Sequence, residues 1–281
     1  MEWPLTFQCN NDCISCISDT RQAKNRRDSF LKQVKDAIDN VPEKDIISFT
    51  GGEPTLRKEF FEILEYARKK HPEKFIFIVT NGRRFSEKDF FEKLLSLEIE
   101  PLRFGIPLYS HREEVHDRIT RAKGSWSETI QGIKNLLGKG FKVELRILVE
   151  KANYRELKET AKFAAEAFPG LERVVFINLK YTGNAFLNRE QVFLRIAKSN
   201  PFVLEAADLL LEKGIETKLF HFPLCTIPEK YRPLAEGITK QESELTLLGK
   251  CNSCRAKASC PQIWKTYLPL AGEEEFGPCP A

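Results

Sequence analysis

The sequence predicts an α/β protein, a parallel sheet flanked by helices with a small cysteine-rich segment behind it, on three observations. From Leu5 to about Lys180, short apolar runs alternate with longer stretches of helical period. Six strand-helix units can be counted, with Gly, Asn and Pro between them. From Cys225 onward the composition changes, with five of the eight cysteines and prolines throughout.

In chain order, strand one covers residues 5–7 and delivers a loop of cysteines at its end. The helix after it, from Asp28, repeats Phe30, Val34, Ala37 and Val41 on one face. Strand two, residues 45–50, runs into Gly51-Gly52-Glu53-Pro54, and its helix carries Phe60, Phe61 and Leu64. Strand three, 75–80, ends in Asn81-Gly82, after which Ser86 with Asp89 predicts a capping box. Strand four spans 102–108, and its helix, 127–137, is closed by Gly140. Strand five is 143–149; Asn153 with Glu156 predicts the next capping box, and that helix ends at Pro169-Gly170. Strand six is 174–179. A further helix opens at Asn200-Pro201 and stops at Gly214. A last strand over 215–222 leads into the cysteine-rich segment, so the chain divides into 1–218 and 219–281.

Such units with right-handed crossovers build either an open doubly wound sheet or a barrel lacking two of the usual eight strands. Periodicity does not choose between them. In a parallel barrel, chemistry collects at the carboxyl ends of the strands, where Cys9, Glu53, Asn81 and Ser110 all fall.

The 42% hydrophobic and 30% charged content is that of a globular chain rather than a disordered one. No basic leader and no uninterrupted apolar run of about 18 residues is present, so a cytoplasmic location without a membrane span is expected. The eight cysteines sit in two clumps, unlike the even framework of a disulfide-stapled secreted domain. The net charge of +4 is too small to argue for nucleic acid, although Lys24-Asn25-Arg26-Arg27 is a local basic run.

Residues 9–16, CNNDCISC, carry the densest chemistry. Thiols at Cys9, Cys13 and Cys16 suit a [4Fe–4S] cube, because a short loop can place three sulfurs at three corners and leave one iron open. A structural zinc site wants four closed ligands, and the next His is His71. Gly51 and Gly52 let the backbone after strand two come close to a ligand, with Glu53 at the sheet's carboxyl end. On strand five, alternation sends Val143, Leu145, Ile147 and Val149 to one face and Glu144, Arg146 and Leu148 to the other. If the aliphatic face meets the helices, Arg146 points inward and needs an anion, which Glu144, a cofactor carboxylate or the substrate could supply. Near the other end, Cys251, Cys254 and Cys260 form CNSCRAKASC, with Cys225 upstream and Cys279 downstream. Spacing alone leaves an iron–sulfur cluster and a zinc ribbon equally open there.

The CxxxCxxC loop resembles the signature of the radical S-adenosylmethionine (SAM) superfamily, and Gly51-Gly52-Glu53 matches its GGE motif. The resemblance implies a partial (βα)6 TIM-like barrel. It also implies a SAM-cleaving cluster on Cys9, Cys13 and Cys16, and hydrogen abstraction by a 5'-deoxyadenosyl radical. Gly51, Gly52, Glu53 and Pro54 would bind the SAM amino group, Thr80 and Asn81 would border the site, and Ser110 would contact SAM; Arg146, placed inward by strand alternation, is the candidate for the SAM carboxylate. Ser15 stands where an aromatic residue is common. Residues 106–137 are similar to the segment of peptide-modifying members in which a His-Asp pair, here His116-Asp117, precedes a Gly-Ser/Thr-aromatic step, here Gly124-Ser125-Trp126. Those members commonly carry an Arg four positions after the His, where this chain has Thr120.

The CxxCx5C spacing resembles SPASM and twitch domains, which implies a second, auxiliary [4Fe–4S] cluster with zinc as the alternative. IPLYS, VELR, TGNA and FPLC are together most similar to maturases of the His-Xaa-Ser peptide system, which favours Cys225 as fourth ligand. A peptide or protein substrate is implied, with an external one-electron donor such as ferredoxin or flavodoxin. The alternatives are radical modification of tRNA or a small metabolite, and a non-catalytic iron–sulfur or zinc protein.

Overall fold

The computed structural model describes residues 2–23, 25–235 and 242–279; Lys24 of the basic run lies outside them. Seven strands form one sheet: β1 (Glu2–Thr6), β2 (Ile47–Gly51), β3 (Ile76–Val79), β4 (Leu102–Pro107), β5 (Lys142–Val149), β6 (Arg173–Asn178) and β7 (Glu216–Phe220). Every neighbouring pair is parallel and the order is sequential, β1 to β7. A doubly wound sheet reverses its order at a switch point, whereas sequential order with crossovers of one hand keeps all helices on one side. The sheet is therefore the wall of a partial barrel. The strand expected at 215–222 is its seventh member, so a boundary at 218 would cut through β7.

The helices are α1 (Thr20–Ala23), α2 (Leu31–Asp39), α3 (Phe60–Lys70), α4 (Lys88–Ser96), α5 (Glu113–Thr120), α6 (Ser125–Gly138), α7 (Leu157–Ala167), α8 (Gly183–Leu187), α9 (Arg189–Val192), α10 (Ile196–Glu212) and α11 (Leu268–Ala271). Aromatic packing shows which face of the sheet they cover. Phe104 of β4 packs edge-on against Phe85 at 5.0 Å and Phe141 at 5.6 Å, and Phe85 meets Phe90 of α4 at 5.7 Å. Each buried ring of this kind contributes about 1.5–3 kcal/mol by leaving water. Phe104 pairs in register with Val143, so Val143, Leu145, Ile147 and Val149 face the helices and are all buried. Among the described residues no helix is long and apolar enough to cross a membrane.

Several local expectations need correction. Phe30 precedes the first turn of α2 instead of lying on its buried face, and is 78% exposed. Ser86 does not cap a helix: its hydroxyl donates to the Arg83 carbonyl inside a 3-10 turn, and α4 starts after Glu87. Asn153 makes no cap either, because its side chain ties the ends of β4 and β5, donating to Tyr109 O (2.9 Å) and Leu148 O (2.8 Å). Helix α10 begins before Asn200 and holds Pro201 inside it. Helix α5 has too few apolar residues to announce itself, and only Val115, His116, Ile119 and Thr120 are buried. Gly140, at φ 81°, does end α6, its N–H returning to Leu137 O at 3.0 Å.

Candidate active site

The cysteine loop leaves β1 and is held from three sides. From α5, the last carbonyls accept its amides: Asp12 N to Thr120 O at 2.9 Å and Ile14 N to Ile119 O at 2.8 Å. These are carbonyls that a helix end leaves without internal partners. From the end of β3, Arg83 donates to Asn10 O (2.6 Å) and Asn11 Oδ1 (2.7 Å). From the turn after β6, Asn184 sends its side-chain amide to Cys13 O (3.0 Å), Asp12 Oδ1 (3.2 Å) and Thr20 Oγ1 (2.9 Å), and Ala185 N bonds Cys16 O at 3.0 Å. Gly183 permits that approach, since a Cβ there would stand 2.2 Å from Ser18 C. Asn188 adds a bond from its side-chain amide to Ile14 O at 3.2 Å. Asn184, Asn188, Arg83 and Glu150 hold the loop without forming a local pattern in the sequence; TGNA is legible as a motif but not as a clamp.

All eight cysteines are free. Burial pushes the Cys9 thiol up to about 12, with the Glu53 carboxylate adding to it, and raises Cys13 and Cys16 as well. Cys16 adds to the rise of Cys9, and Cys16 and Cys9 add to that of Cys13, so the three thiols are near enough to oppose one another's ionisation. Thiols that resist ionisation when empty become thiolates only beside a strong positive centre, which is what metal coordination provides. Among the described residues no three His, Cys, Asp or Glu side chains converge as they would round a single ion. A four-iron cube makes no such demand, because each thiolate takes its own iron corner. Three soft sulfur donors fit a [4Fe–4S] cluster with one corner left without a protein ligand.

The Gly-Gly-Glu-Pro loop serves the cysteine loop first. A Cβ on Gly51 would meet Thr6 O at 2.3 Å, and one on Gly52 would meet Gln8 O at 2.2 Å, so both glycines press on backbone leading to Cys9. Gly52 N and Glu53 N donate to Thr6 O and Gln8 O, each at 2.7 Å. Glu53 is fully buried. Its Oε1 accepts from Thr55 N (3.1 Å), Thr55 Oγ1 (2.6 Å) and Thr80 Oγ1 (2.6 Å), and its Oε2 from Asn81 N (2.7 Å). Burial raises its pKa while these donors pull it back, and by its lone pairs Oε2 can accept one more hydrogen bond. The structure thus joins Glu53, Thr80 and Asn81 in one network, which Asn81 extends to Asn10 at 2.6 Å.

Ser110 is occupied elsewhere: its hydroxyl donates to Glu156 (2.6 Å) and accepts from Arg112 N (2.9 Å). His116 and Asp117 are structural. Asp117 accepts from Gly124 N, Ser125 Oγ and Trp126 N at 2.5–2.8 Å and so caps α6, which explains the Gly-Ser-Trp step. His116 accepts from Tyr109 N at 3.3 Å, and burial lowers its pKa to about 4 against the pull of Asp117. A folded-state pKa below the unfolded one means protonation favours unfolding. The stability it contributes, on the order of 3 kcal/mol, is complete above about pH 6.5 and is expected to vanish as pH falls toward 4. Urea titrations of apo protein across that range should show the fall, and His116→Gln should flatten it. Glu150, buried at the end of β5, accepts from Ser15 Oγ at 3.2 Å, which is the role the unexpected serine plays; burial lifts the carboxyl to about 8.

Arg146 lies on the inner face of the barrel, in register with Pro107 on one side and Val175 on the other. Gly105 leaves space in front of it: a Cβ there would strike the Phe77 ring at 2.7 Å and Arg146 Cδ at 3.2 Å. Glu144 is its partner, 3.4 Å from Nε, and Arg173 approaches the same carboxylate at 3.5 Å. Arg146 Nε is buried without a hydrogen-bond partner among the described residues.

The C-terminal cysteines gather by short 3-10 turns, Leu224–Thr226, Gly249–Ser253 and Lys257–Ser259. Burial raises Cys225, with Cys260 and Cys251 adding to it, Cys225 in turn adds to the rise of Cys279, and Cys279 N donates to Cys254 Sγ at 3.3 Å. Both expected candidates for a fourth ligand, Cys225 and Cys279, therefore stand at this group. The hairpin β8 (Leu245–Thr246) and β9 (Ile263–Trp264) docks the segment on the sheet, with Trp264 Nε1 donating to Asn178 O at 3.2 Å at the end of β6.

A sequential parallel part-barrel with a three-thiol loop at the carboxyl end of its first strand defines a class of enzyme. The chain belongs to the radical SAM superfamily, whose family model matches residues 3–164, and membership implies a [4Fe–4S] cluster and SAM binding. Among curated relatives, the Fe-coproporphyrin III synthase of Methanosarcina barkeri is 25% identical over 94% of this chain and 69% of its own length. The mycofactocin maturase MftC of Mycolicibacterium smegmatis is 30% identical over 59% of this chain, which spans 41% of that protein. In fold, Streptococcus suis SuiB bound to S-adenosylmethionine superposes with a TM-score of 0.67 at 15% identity, covering 99% of this chain and 76% of that one. Native anSMEcpe with bound AdoMet and Kp18Cys peptide gives 0.60 at 18% identity, covering 76% and 60%.

Proposed function

We propose that this enzyme cleaves SAM reductively at the loop of Cys9, Cys13 and Cys16 and uses the resulting radical to modify a ribosomally made peptide or protein side chain. The observation that carries it is the three-cysteine loop whose backbone is held by Gly52 and Glu53 and tied through Asn10 to the Glu53–Thr80–Asn81 network. Bound there, a [4Fe–4S] cluster would supply the electron that breaks a sulfur–carbon bond of SAM. Gly51 to Pro54, with Thr80 and Asn81, would receive the SAM amino group, the spare acceptor capacity of Glu53 Oε2 suiting an ammonium. The maturase relative supports the peptide substrate. Anaerobically reconstituted protein given dithionite and SAM is expected to release 5'-deoxyadenosine, and its peptide product should show a mass change. Protein that holds iron yet cleaves no SAM sinks the reading.

A second substrate class, a carboxylate-bearing small metabolite, has an observation in its favour. Fe-coproporphyrin III synthase aligns over 94% of the chain, and Arg146 lies on the inner face of the barrel as a cation paired with Glu144. Product analysis with iron-coproporphyrin III beside candidate peptides separates the two.

Cys225, Cys251, Cys254 and Cys260 are the ligands we assign to an auxiliary cluster in a C-terminal unit that begins after β7. Cys279 would instead donate its N–H to the Cys254 sulfur, a contact that tunes a cluster without ligating it. Cys225→Ala is expected to lower iron from about eight to about four per chain, and Cys279→Ala to leave it at about eight. The reverse pattern would exchange their roles.

A further inference from the structure

Arg83 is a mostly buried cation turned toward the cysteine loop. Its side chain is 13% exposed, and its nitrogens serve two partners. Nη1 donates to Asn10 O (2.6 Å) and Asn11 Oδ1 (2.7 Å), both between Cys9 and Cys13, while Nε donates to Glu128 Oε2 (2.5 Å) on α6. Asn11 in turn donates its N–H to Cys9 Sγ at 3.4 Å, so a single residue links the guanidinium to that sulfur. The turn that carries Arg83 is fixed. Arg83 N donates to Asn81 Oδ1 (3.1 Å), Thr129 Oγ1 of α6 donates to Asn81 O (3.0 Å), and a Cβ on Gly132 of α6 would stand 2.1 Å from Gly82 O. Glu128 offsets the charge unequally, because its carboxylate is 44% exposed and screened by water while the guanidinium faces the loop. Of the other charges at the loop, Glu53 is enclosed by donors from Thr55, Thr80 and Asn81, Glu150 accepts from Ser15, and Asp12 faces Arg121 at 3.7 Å.

We propose that Arg83 is a positioning residue for the cluster on Cys9, Cys13 and Cys16, and that its fixed cation favours the reduced state of that cluster. The inference rests on the radical SAM reading. On reduction, one electron leaves an outside reductant, which is oxidised by one equivalent, and adds one negative charge at the loop with no bond made or broken. Arg83, held against the backbone between two of the ligands, opposes that charge, and nearby charge and hydrogen bonding are what set the potential of such a cluster.

The test titrates anaerobically reconstituted holoenzyme with dithionite and reads the potential of the loop cluster by EPR, its signal being the one missing from Cys13→Ala. Arg83→Gln is expected to lower the equilibrium constant for reduction about tenfold, a fall of about 59 mV for one electron. Glu128→Gln keeps an acceptor for Nε and removes the counter-charge, so it should raise that constant by about threefold, in the opposite direction. Arg83→Lys keeps the charge but has one nitrogen where the guanidinium uses two. Its reduction constant should stay within about threefold of wild type, while a chelator strips iron from the loop at least about threefold faster. Exposed Lys69→Gln on α3, the distant control, should change neither readout. A reduction constant within about twofold of wild type in Arg83→Gln overturns the proposal. So does a Glu128→Gln shift in the same direction as that of Arg83→Gln, because it marks a disturbed loop instead of a changed charge. If Arg83→Gln holds no cluster, the opposite shift of Glu128→Gln and the preserved potential of Arg83→Lys decide by themselves. Wild type that assembles no loop cluster overturns both this role and the radical SAM reading. Wild type that assembles one and cleaves no SAM counts against that reading alone, since the potentials still decide what Arg83 does.

Discussion

Cys13→Ala is expected to abolish 5'-deoxyadenosine formation and to remove about four of about eight irons per chain. Cys13 is the middle thiol of the loop, and its carbonyl accepts from the Asn184 side-chain amide at 3.0 Å. Alanine leaves that backbone bond in place, so the chain should fold and keep the irons proposed for its C-terminal cysteines. Iron analysis with EPR of the reduced protein checks both statements. A variant that retained its first cluster and still cleaved SAM would show that the three thiols are not its ligands.

Gly52→Ala is expected to have the second largest effect. The added methyl would lie 2.2 Å from Gln8 O, 2.7 Å from Gln8 C and 2.8 Å from Phe7 O, all of them backbone atoms that cannot swing aside. Overpacking of this kind costs about 1–3 kcal/mol. The displaced segment leads directly to Cys9, so SAM cleavage should fall further than stability does. Gly138→Ala is the contrast: it lies in α6 with nothing within 4 Å of the added Cβ, and should stabilise by about 0.5–1 kcal/mol. Denaturant unfolding and iron retention measure all of these, and equal behaviour of the two glycine variants would refute the close-approach account.

The first cluster loop, the Gly-Gly-Glu-Pro turn and the parallel strand-helix order were legible in the sequence because each is a local pattern. Strand alternation also placed Arg146 inside the barrel, where it meets Glu144, the neighbour on its own strand face. Roles that depend on distant partners were not legible. Ser86 and Asn153 fit a capping pattern, yet their hydrogen-bonding groups are taken by the Arg83 carbonyl and by the ends of β4 and β5.

By itself, then, the sequence determined the family, the cysteine positions and the sheet's parallel character, since composition and spacing record them directly. Only the tertiary structure decided that β7 joins the sheet, that Gly51 and Gly52 press on the cysteine loop, and that Asn184, some 170 residues from Cys13, clamps it. Hydrogen bonds and steric contacts between segments so far apart depend on how the strands are ordered in space, and no local periodicity encodes that.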